Sequence, residues 1–428
     1  MTSSASFDQV RLVITTTYPE PAIVAVAKAA ARRGRLVRLY TTLRSAPWMA
    51  TLARRTPVAS VREPLRRELV RRSLPGVPPD AVVTVAGAGD LVHRGARLMP
   101  GSEDMAQRLE HRVKERFDHA AAGLTKSVDS NTVVSLAGSA QETLLAARQT
   151  GRRAVLHLVN NHPAYRNRFM RELGHLPPGH HELIPERMAA RVDRELEVAD
   201  LVLVPSRAIT RQLVDLGIPP ERVVLEPYGV DPGAFYPAQD GPGRAGALRC
   251  LFVGNVCHGK GIRFLIEAAQ RLRGWPVHFL LVGPLRAPEL LRAAPDNVEW
   301  VGGVLHNEVA EWMRRADLFV MPSIEDAYPL VTLEAMACGL PVIVSNQAGT
   351  SELITPGVDG LIVRSGATAP LVAAIQRLIE DAALRRKIGE AGRRKIAAGL
   401  TWEGYADNVL RRLQAGVEPR RPLEAAPA

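Results

Sequence analysis

The feature that most narrows the fold is a rhythm of short apolar, β-branched runs alternating with longer helical patterns, interrupted once. RLVITT, LVRLYT, AVVTV, TVVSL, AVLHLV, LVLV and RVVLE fall before residue 230, and the alternation resumes with LRCLFVG, VHFLLVG, DLFVMP and PVIVS. Such alternation predicts βαβ units, with parallel sheets covered by helices on both faces. The interruption, PAQDGPGRAGA at 237–247, reads as a linker. A chain of 428 residues also exceeds what one hydrophobic core usually supports. The expected fold is therefore α/β, with two doubly wound domains facing each other across a cleft: residues 1–236, the linker 237–247, and residues 248–400. A last amphipathic helix, 401–416, is expected to return to the N-terminal domain, and 417–428 reads as a disordered tail. In open parallel sheets ligands sit at the carboxyl ends of the strands, so the cleft is the place to look for chemistry.

Charge is unevenly spread. Residues 1–100 hold 16 Lys+Arg against 6 Asp+Glu, so +10 of the overall +11 lies there. In its densest stretch, RRTPVASVREPLRRELVRRSL, Leu65, Leu69, Val70 and Leu74 recur at helical spacing among arginines. A basic amphipathic helix suits an anionic membrane surface, and equally a solvated face of an arginine-rich protein. Aromatic residues are only 5% and none interleave with these arginines, which argues against nucleic acid. No apolar run is long enough to span a bilayer and the N-terminus lacks a secretory pattern, so the expected location is cytoplasmic. Cys250, Cys257 and Cys338 form no CxxC pair and read as buried thiols.

The segment PSIEDAYPLVTLEAMACGLPVIVSN (322–346) carries the densest chemistry. A strand ends near Met321, Pro329 suits the first helical position, Leu330 to Ala337 form a helix, Gly339 fits its C′ position and Pro341 stops it. The backbone around Tyr328, Pro329, Leu330 and Val331 then offers free N–H groups and a helix dipole to an anion such as a diphosphate. Asp326 precedes the helix and Glu334 lies inside it, so carboxylates on either side of the phosphate can accept hydrogen bonds from hydroxyls. A second segment, LRCLFVGNVCHGKGIRFLIEAA (248–269), reads as strand, glycine-bounded loop and helix. Gly254, Gly259 and Gly261 allow close backbone approach, and Lys260 supplies a point charge. GNVCHGK satisfies the G-x4-G-K pattern of a nucleotide-hydrolysing loop, but Gly261 stands where Ser or Thr must hold Mg²⁺.

These two segments resemble glycosyltransferase family 4, retaining nucleotide-sugar transferases of the GT-B fold, which has two Rossmann-like domains. The family's Glu-x7-Glu element, its first Glu followed by Gly-Phe, runs on into Leu-Glu-Ala-Met-Ala-x-Gly-x-Pro-Val, which matches closely from Pro329 onward. Here Asp326 replaces the first Glu, and Ala327 and Tyr328 replace Gly-Phe. Glu325 offers a carboxylate one position early, while Asp326 keeps the spacing to Glu334. The resemblance implies that Asp326 holds donor hexose hydroxyls and Glu334 ribose hydroxyls. Lys260 falls on the family's donor-loop lysine, and Asn255 stands where an arginine is usual. LEPYGVDPGAFYP (225–237) resembles the turn that closes the N-terminal domain, with Tyr228 in place of Asn; RVDRELEVADLVLVPSRAI (191–209) resembles its helix-strand element. In VEWVGGVLHNEVAEWMRRADLFVMPS (298–323), backbone around Gly302 and Val304 is placed to meet the base.

His162, after the strand AVLHLV, is the candidate for chemistry from the N-terminal domain, since a strand-end histidine can balance charge as a leaving group departs. His157 reads as structural, and His180-His181 as lacking partners for a metal. With no Asp-x-Asp in the chain, no metal and no cofactor is expected beyond the nucleotide-sugar donor itself. The acceptor is open: a lipid-linked or membrane-bound molecule, or a soluble small one. A nucleotide-sugar epimerase of the same fold, a nucleotide-hydrolysing enzyme and a degenerate binding protein are the rival readings.

Overall fold

The computed structural model describes residues 9–45, 72–85, 103–238 and 246–415, with Leu69, Gly87 and Asp90. Valine-, leucine- and threonine-rich runs form a seven-stranded sheet from β1 (Leu12–Thr16), β2 (Leu36–Thr41), β3 (Val82–Thr84), β4 (Thr132–Leu136), β5 (Arg153–His157), β6 (Leu201–Val204) and β7 (Val223–Leu225). Its order is β3-β2-β1-β4-β5-β6-β7, all parallel. Helices α1 (Pro21–Arg32), α2 (Glu103–Lys126), α3 (Gln141–Gln149), α4 (Pro163–Glu172), α5 (Glu186–Val198) and α6 (Arg207–Asp215) connect these strands. Every residue of β1, β4, β5 and β6 is buried, as a sheet covered on both faces requires. The helix-strand segment noted at 191–209 acts structurally. Glu195 accepts N–H bonds from Gly138 (2.6 Å) and Ala140 (2.8 Å) in the loop after β4, and Asp200 accepts one from Ala154 (2.8 Å).

The second sheet holds β8 (Leu248–Val253), β9 (Val277–Val282), β10 (Val298–Gly302), β11 (Leu318–Met321), β12 (Val342–Ser345) and β13 (Leu361–Val363), in the order β10-β9-β8-β11-β12-β13. Its helices are α7 (Ile262–Arg271), α8 (His306–Arg315), α9 (Leu330–Ala337), α10 (Thr368–Glu380) and α11 (Ala382–Ala397). The strand order reverses between β8 and β11, so the loops leaving these two strands diverge and open a crevice. Those loops are the two motif segments. One glycine permits their close approach, and a second brings the loop after β12 against the β11 loop. Gly261 has φ +71°, and a Cβ there would lie 2.0 Å from the Pro322 carbonyl; at Gly349, whose N–H donates to Asp326 O, a Cβ would lie 1.8 Å from the Ala327 carbonyl.

The last helix, α12 (Trp402–Ala415), packs on α1 of the N-terminal domain through Arg32–Glu403 (3.0 Å) and Arg33–Asp407 (2.7 Å). Its Tyr405 joins Tyr228, Trp402 and Tyr328 in a cluster of mostly edge-to-face rings, with the hydroxyls of Tyr228 (3.2 Å) and Tyr405 (3.4 Å) on buried His157 Nε2. Burial drops the His157 pKa to about 3, so the ring is neutral and structural.

Most of the basic stretch at 62–74 and the tail at 417–428 lie outside the described residues, as do 239–245 of the linker. Arg72 corrects the expectation of an exposed arginine face, because its guanidinium is 1% exposed, pairs with Asp90 at 3.0 Å and donates to Thr17 O at 2.7 Å. Leu69 and Leu74 are buried as well. No described helix is long and apolar enough to cross a membrane. Removing the carboxylate would leave the guanidinium charged in a dry site. Asp90→Ala should therefore cost about 3–5 kcal/mol in urea unfolding, whereas a loss below about 1 kcal/mol would mark the pair as solvent-screened.

Candidate active site

Lys260 ends a 3-10 turn after β8, and Asp326 lies in the loop after β11; their side chains form an ion pair at the mouth of the crevice. Burial alone would lower the Lys260 pKa, but the adjacent Asp326 charge and hydrogen bond raise it, so the ammonium persists. Helix α9 begins immediately beyond. Pro329 is its N-cap rather than its first helical residue, a one-position correction, because its ψ of 101° is not helical. No side chain caps this end. Thr332 N–H donates to Pro329 O at 3.0 Å, while the Leu330 and Val331 amides have no acceptor within the helix. With no acidic residue in the first turn, the positive end of the dipole stays open to an anion.

Glu334 sits one turn into α9, 4% exposed, with Oε1 3.3 Å from His306 Nε2 and Oε2 without a hydrogen-bond partner among the described residues. Burial pushes its pKa up to about 8. A half-satisfied buried carboxyl is costly unless a ligand completes it. His306 carries no motif that would mark it in the sequence. It starts α8, directly after Gly302 and Val304, and so brings that half-buried loop to Glu334. The Tyr328 hydroxyl is likewise buried and unpartnered among the described residues, and Ala327 joins the hydrophobic cluster of the N-terminal domain. Gly254 is held by its N–H to Val282 O at 2.9 Å, and Asn255 is exposed on the rim of the loop.

The N-terminal domain meets this loop pair through residues that no sequence pattern singles out. Asn161 Nδ2 donates to Glu325 Oε1 at 2.7 Å, and Arg166 Nε lies 3.2 Å from Glu325 Oε2. Glu325 therefore faces across the cleft, and Asp326 faces Lys260. Glu182 accepts from the His258 and Gly259 amides, both at 3.0 Å, and from the His258 ring at 2.8 Å. Burial would raise its carboxyl, but these hydrogen bonds bring it down to about 2. Glu352 reaches the other way, accepting from Arg207 N (2.8 Å) and Ala208 N (2.6 Å) at the start of α6.

His162 is not presented to the cleft, which corrects its expected place in the chemistry. It is the N-cap of α4, its Nδ1 accepting from Ala164 N at 3.3 Å and its Nε2 2.9 Å from Asp193, with 2% exposure. Both ring nitrogens are spent inside the N-terminal domain, so its neighbour Asn161 is the residue that reaches across. His180 and His181 need correction too: Glu182 is within metal-ligand reach of both, and the His258 ring lies 5.2 Å from that of His180.

Two parallel sheets facing across a cleft, with loops converging at the β8/β11 switch point and a C-terminal helix crossing back, define a GT-B protein. Residues 247–381, in the C-terminal domain, match the family model described as Glycosyl transferases group 1. The α-maltose-1-phosphate synthase of Mycolicibacterium smegmatis is 28% identical over 243 residues, covering 50% of this chain and 63% of that protein. D-inositol 3-phosphate glycosyltransferase 1 of Catenulispora acidiphila is 30% identical over 268 residues, 57% of this chain and 64% of its own. The chain thus spans a little under two thirds of the length of these curated relatives. Sucrose-phosphate synthase from Thermosynechococcus elongatus superposes with a TM-score of 0.70 at 20% identity, over 95% of this chain and 100% of that one.

The raised Glu334 pKa makes a signed prediction. Its ordinary value is 4.5 and its folded value about 8, so ionisation favours the unfolded chain and stability falls as pH rises from about 4.5 through about 8. Glutamine has no proton to lose. Thermal melts of ligand-free Glu334→Gln should match wild type near pH 4 and become progressively more stable than it across that window; a gap independent of pH would show the carboxyl already ionised.

Proposed function

We propose that the protein is a family 4 hexosyltransferase that moves a sugar from a nucleoside-diphosphate donor to an acceptor hydroxyl, with retention and without a metal. The observation that carries this reading is the convergence of Lys260, Asp326, the open start of α9 and the half-satisfied Glu334 carboxyl on one crevice. The group 1 match over 247–381 supports it.

In this reading the Leu330 and Val331 amides and Lys260 hold the diphosphate, Glu334 takes the ribose hydroxyls, backbone near Gly302 and Val304 meets the base, and Asp326 orients the hexose. The bond from the anomeric carbon to the phosphate oxygen breaks, and its electron pair leaves with the nucleoside diphosphate. The acceptor oxygen bonds that carbon from the same face and its proton passes to the departing phosphate. Lys260 and the helix end stabilise the charge that develops there.

A panel of UDP-, GDP- and ADP-sugars, scored for binding and turnover, tests this. Lys260→Ala and Glu334→Ala should each lower donor binding or turnover by roughly 10²-fold, the loss of a charged hydrogen bond. Asp326→Ala should lose activity, and turnover should survive EDTA without restoration by Mg²⁺ or Mn²⁺. An active Asp326→Ala beside an inactive Glu325→Ala would reassign the first carboxylate. Donor binding with no turnover on any acceptor would make this a binding protein.

For the acceptor we propose a lipid-linked molecule at the inner face of the cytoplasmic membrane, supported by the +10 carried by residues 1–100. Each arginine near an anionic leaflet contributes on the order of 1 kcal/mol, screened by salt. Vesicle cosedimentation should rise with anionic lipid, fall at high salt and drop when Arg66, Arg67 and Arg71 are neutralised together. Equal failure to bind neutral and anionic vesicles at low salt would point to a soluble acceptor.

A further inference from the structure

The turn between α4 and α5 places an unusual set of donors at the domain boundary. One ligand atom each from His180, His181 and Glu182 lies within 4.8 Å of the others, and the two imidazoles stack with centroids 4.3 Å apart. From the other domain, His258 sets its ring against His180 and bonds Glu182 through Nδ1, while Glu289 lies 3.6 Å from its Nε2. Three imidazoles and two carboxylates thus share one partly exposed spot, next to the loop that carries Lys260. The donor transfer described above uses none of them.

We propose that His180, His181 and Glu182 bind a borderline divalent ion of the Zn²⁺ class, with His258 as the hydrogen-bonded support of the carboxylate ligand. Two imidazoles and one carboxylate are an established zinc donor set, and nitrogen ligands select against Mg²⁺ and Ca²⁺. Glu182 and His180 each have a lone pair to offer. Glu182 Oε1 accepts from the His258 amide and ring, and Oε2 accepts from the Gly259 amide, so of the carboxylate's four lone-pair directions one on Oε2 remains. A metal there leaves the bonds to the second domain intact. On His180, Nδ1 already carries an inward lone pair, held by a long 3.2 Å contact from Glu182 N that is readily exchanged for a metal bond. His181 is exposed, so solvent ions have an entry path and a water can complete the coordination. Glu182 couples the ion to the second domain: a metal that fixes its carboxylate also fixes its hold on the His258 and Gly259 amides, and braces the two domains in the closed arrangement.

The test uses tag-free, full-length protein stripped with chelator and titrated calorimetrically with Zn²⁺ alone. One zinc per chain should bind, unaffected by excess Mg²⁺, and should raise the melting temperature. His181→Ala, at an exposed position that leaves folding intact, and His180→Ala should abolish saturable binding and the thermal shift together. His258→Ala should weaken binding about 10-fold to 100-fold, as loss of a supporting hydrogen bond does. Absence of stoichiometric binding, or binding unchanged in both His180→Ala and His181→Ala, would overturn the assignment.

Discussion

The site depends on β8 and β11 being neighbours at the point where the strand order reverses. Their following loops leave in opposite directions, yet the first must touch the second for Lys260 to reach Asp326. Gly261 makes that possible, since its αL backbone brings the donor loop against the Pro322 carbonyl at a distance no Cβ could share. Residues 66 positions apart thereby become an ion pair. The same constraint explains why Ser or Thr is absent after Lys260, where a nucleotide-hydrolysing loop would need one: geometry claims the position before chemistry can.

The site is also built unsatisfied. Glu334 is buried and short of a hydrogen-bond partner, and α9 begins with uncapped amides and an apolar first turn. Such features cost stability in the ligand-free chain, and in the proposed reading hydroxyls and an anion offset that cost on binding. Across the cleft the opposite holds. Glu182, Glu325 and Glu352 are each satisfied by groups of the other domain, so acidic side chains at the boundary act as domain connectors.

Some substitutions relative to the family pattern acquire physical reasons. Ala327 packs into the N-terminal cluster where a glycine would leave space, and Tyr328 meets Tyr228 edge-to-face in a ring cluster that also receives the returning helix. The two tyrosines replace Phe and Asn as a matched pair. Asn255, in place of the family's arginine, finds no explanation among the described residues.

How much was legible follows from range. The pairing of the two motif segments came from the family resemblance, while strands, the helix Leu330–Ala337 and the expected carboxyl-end location of the site follow from local periodicity, turn chemistry and the rules of parallel sheets, which are written in neighbouring residues. Side-chain direction is not. The sequence placed His162 at a strand end and allowed it chemistry; only the packing of α4 against α5 turned its ring onto Asp193. It placed His180-His181 in a loop without metal partners, although Glu182 is the next residue; what only the meeting of the two domains supplied is His258, whose ring holds the Glu182 carboxylate. It set Arg72 on a basic face, and only the fold supplied Asp90 and the Thr17 carbonyl that bury it. Periodicity reports which face of an element is apolar, because that information lies within one turn or one strand. Which polar groups meet is decided by contacts across the chain, and those exist only after the sheets have formed and the domains have closed.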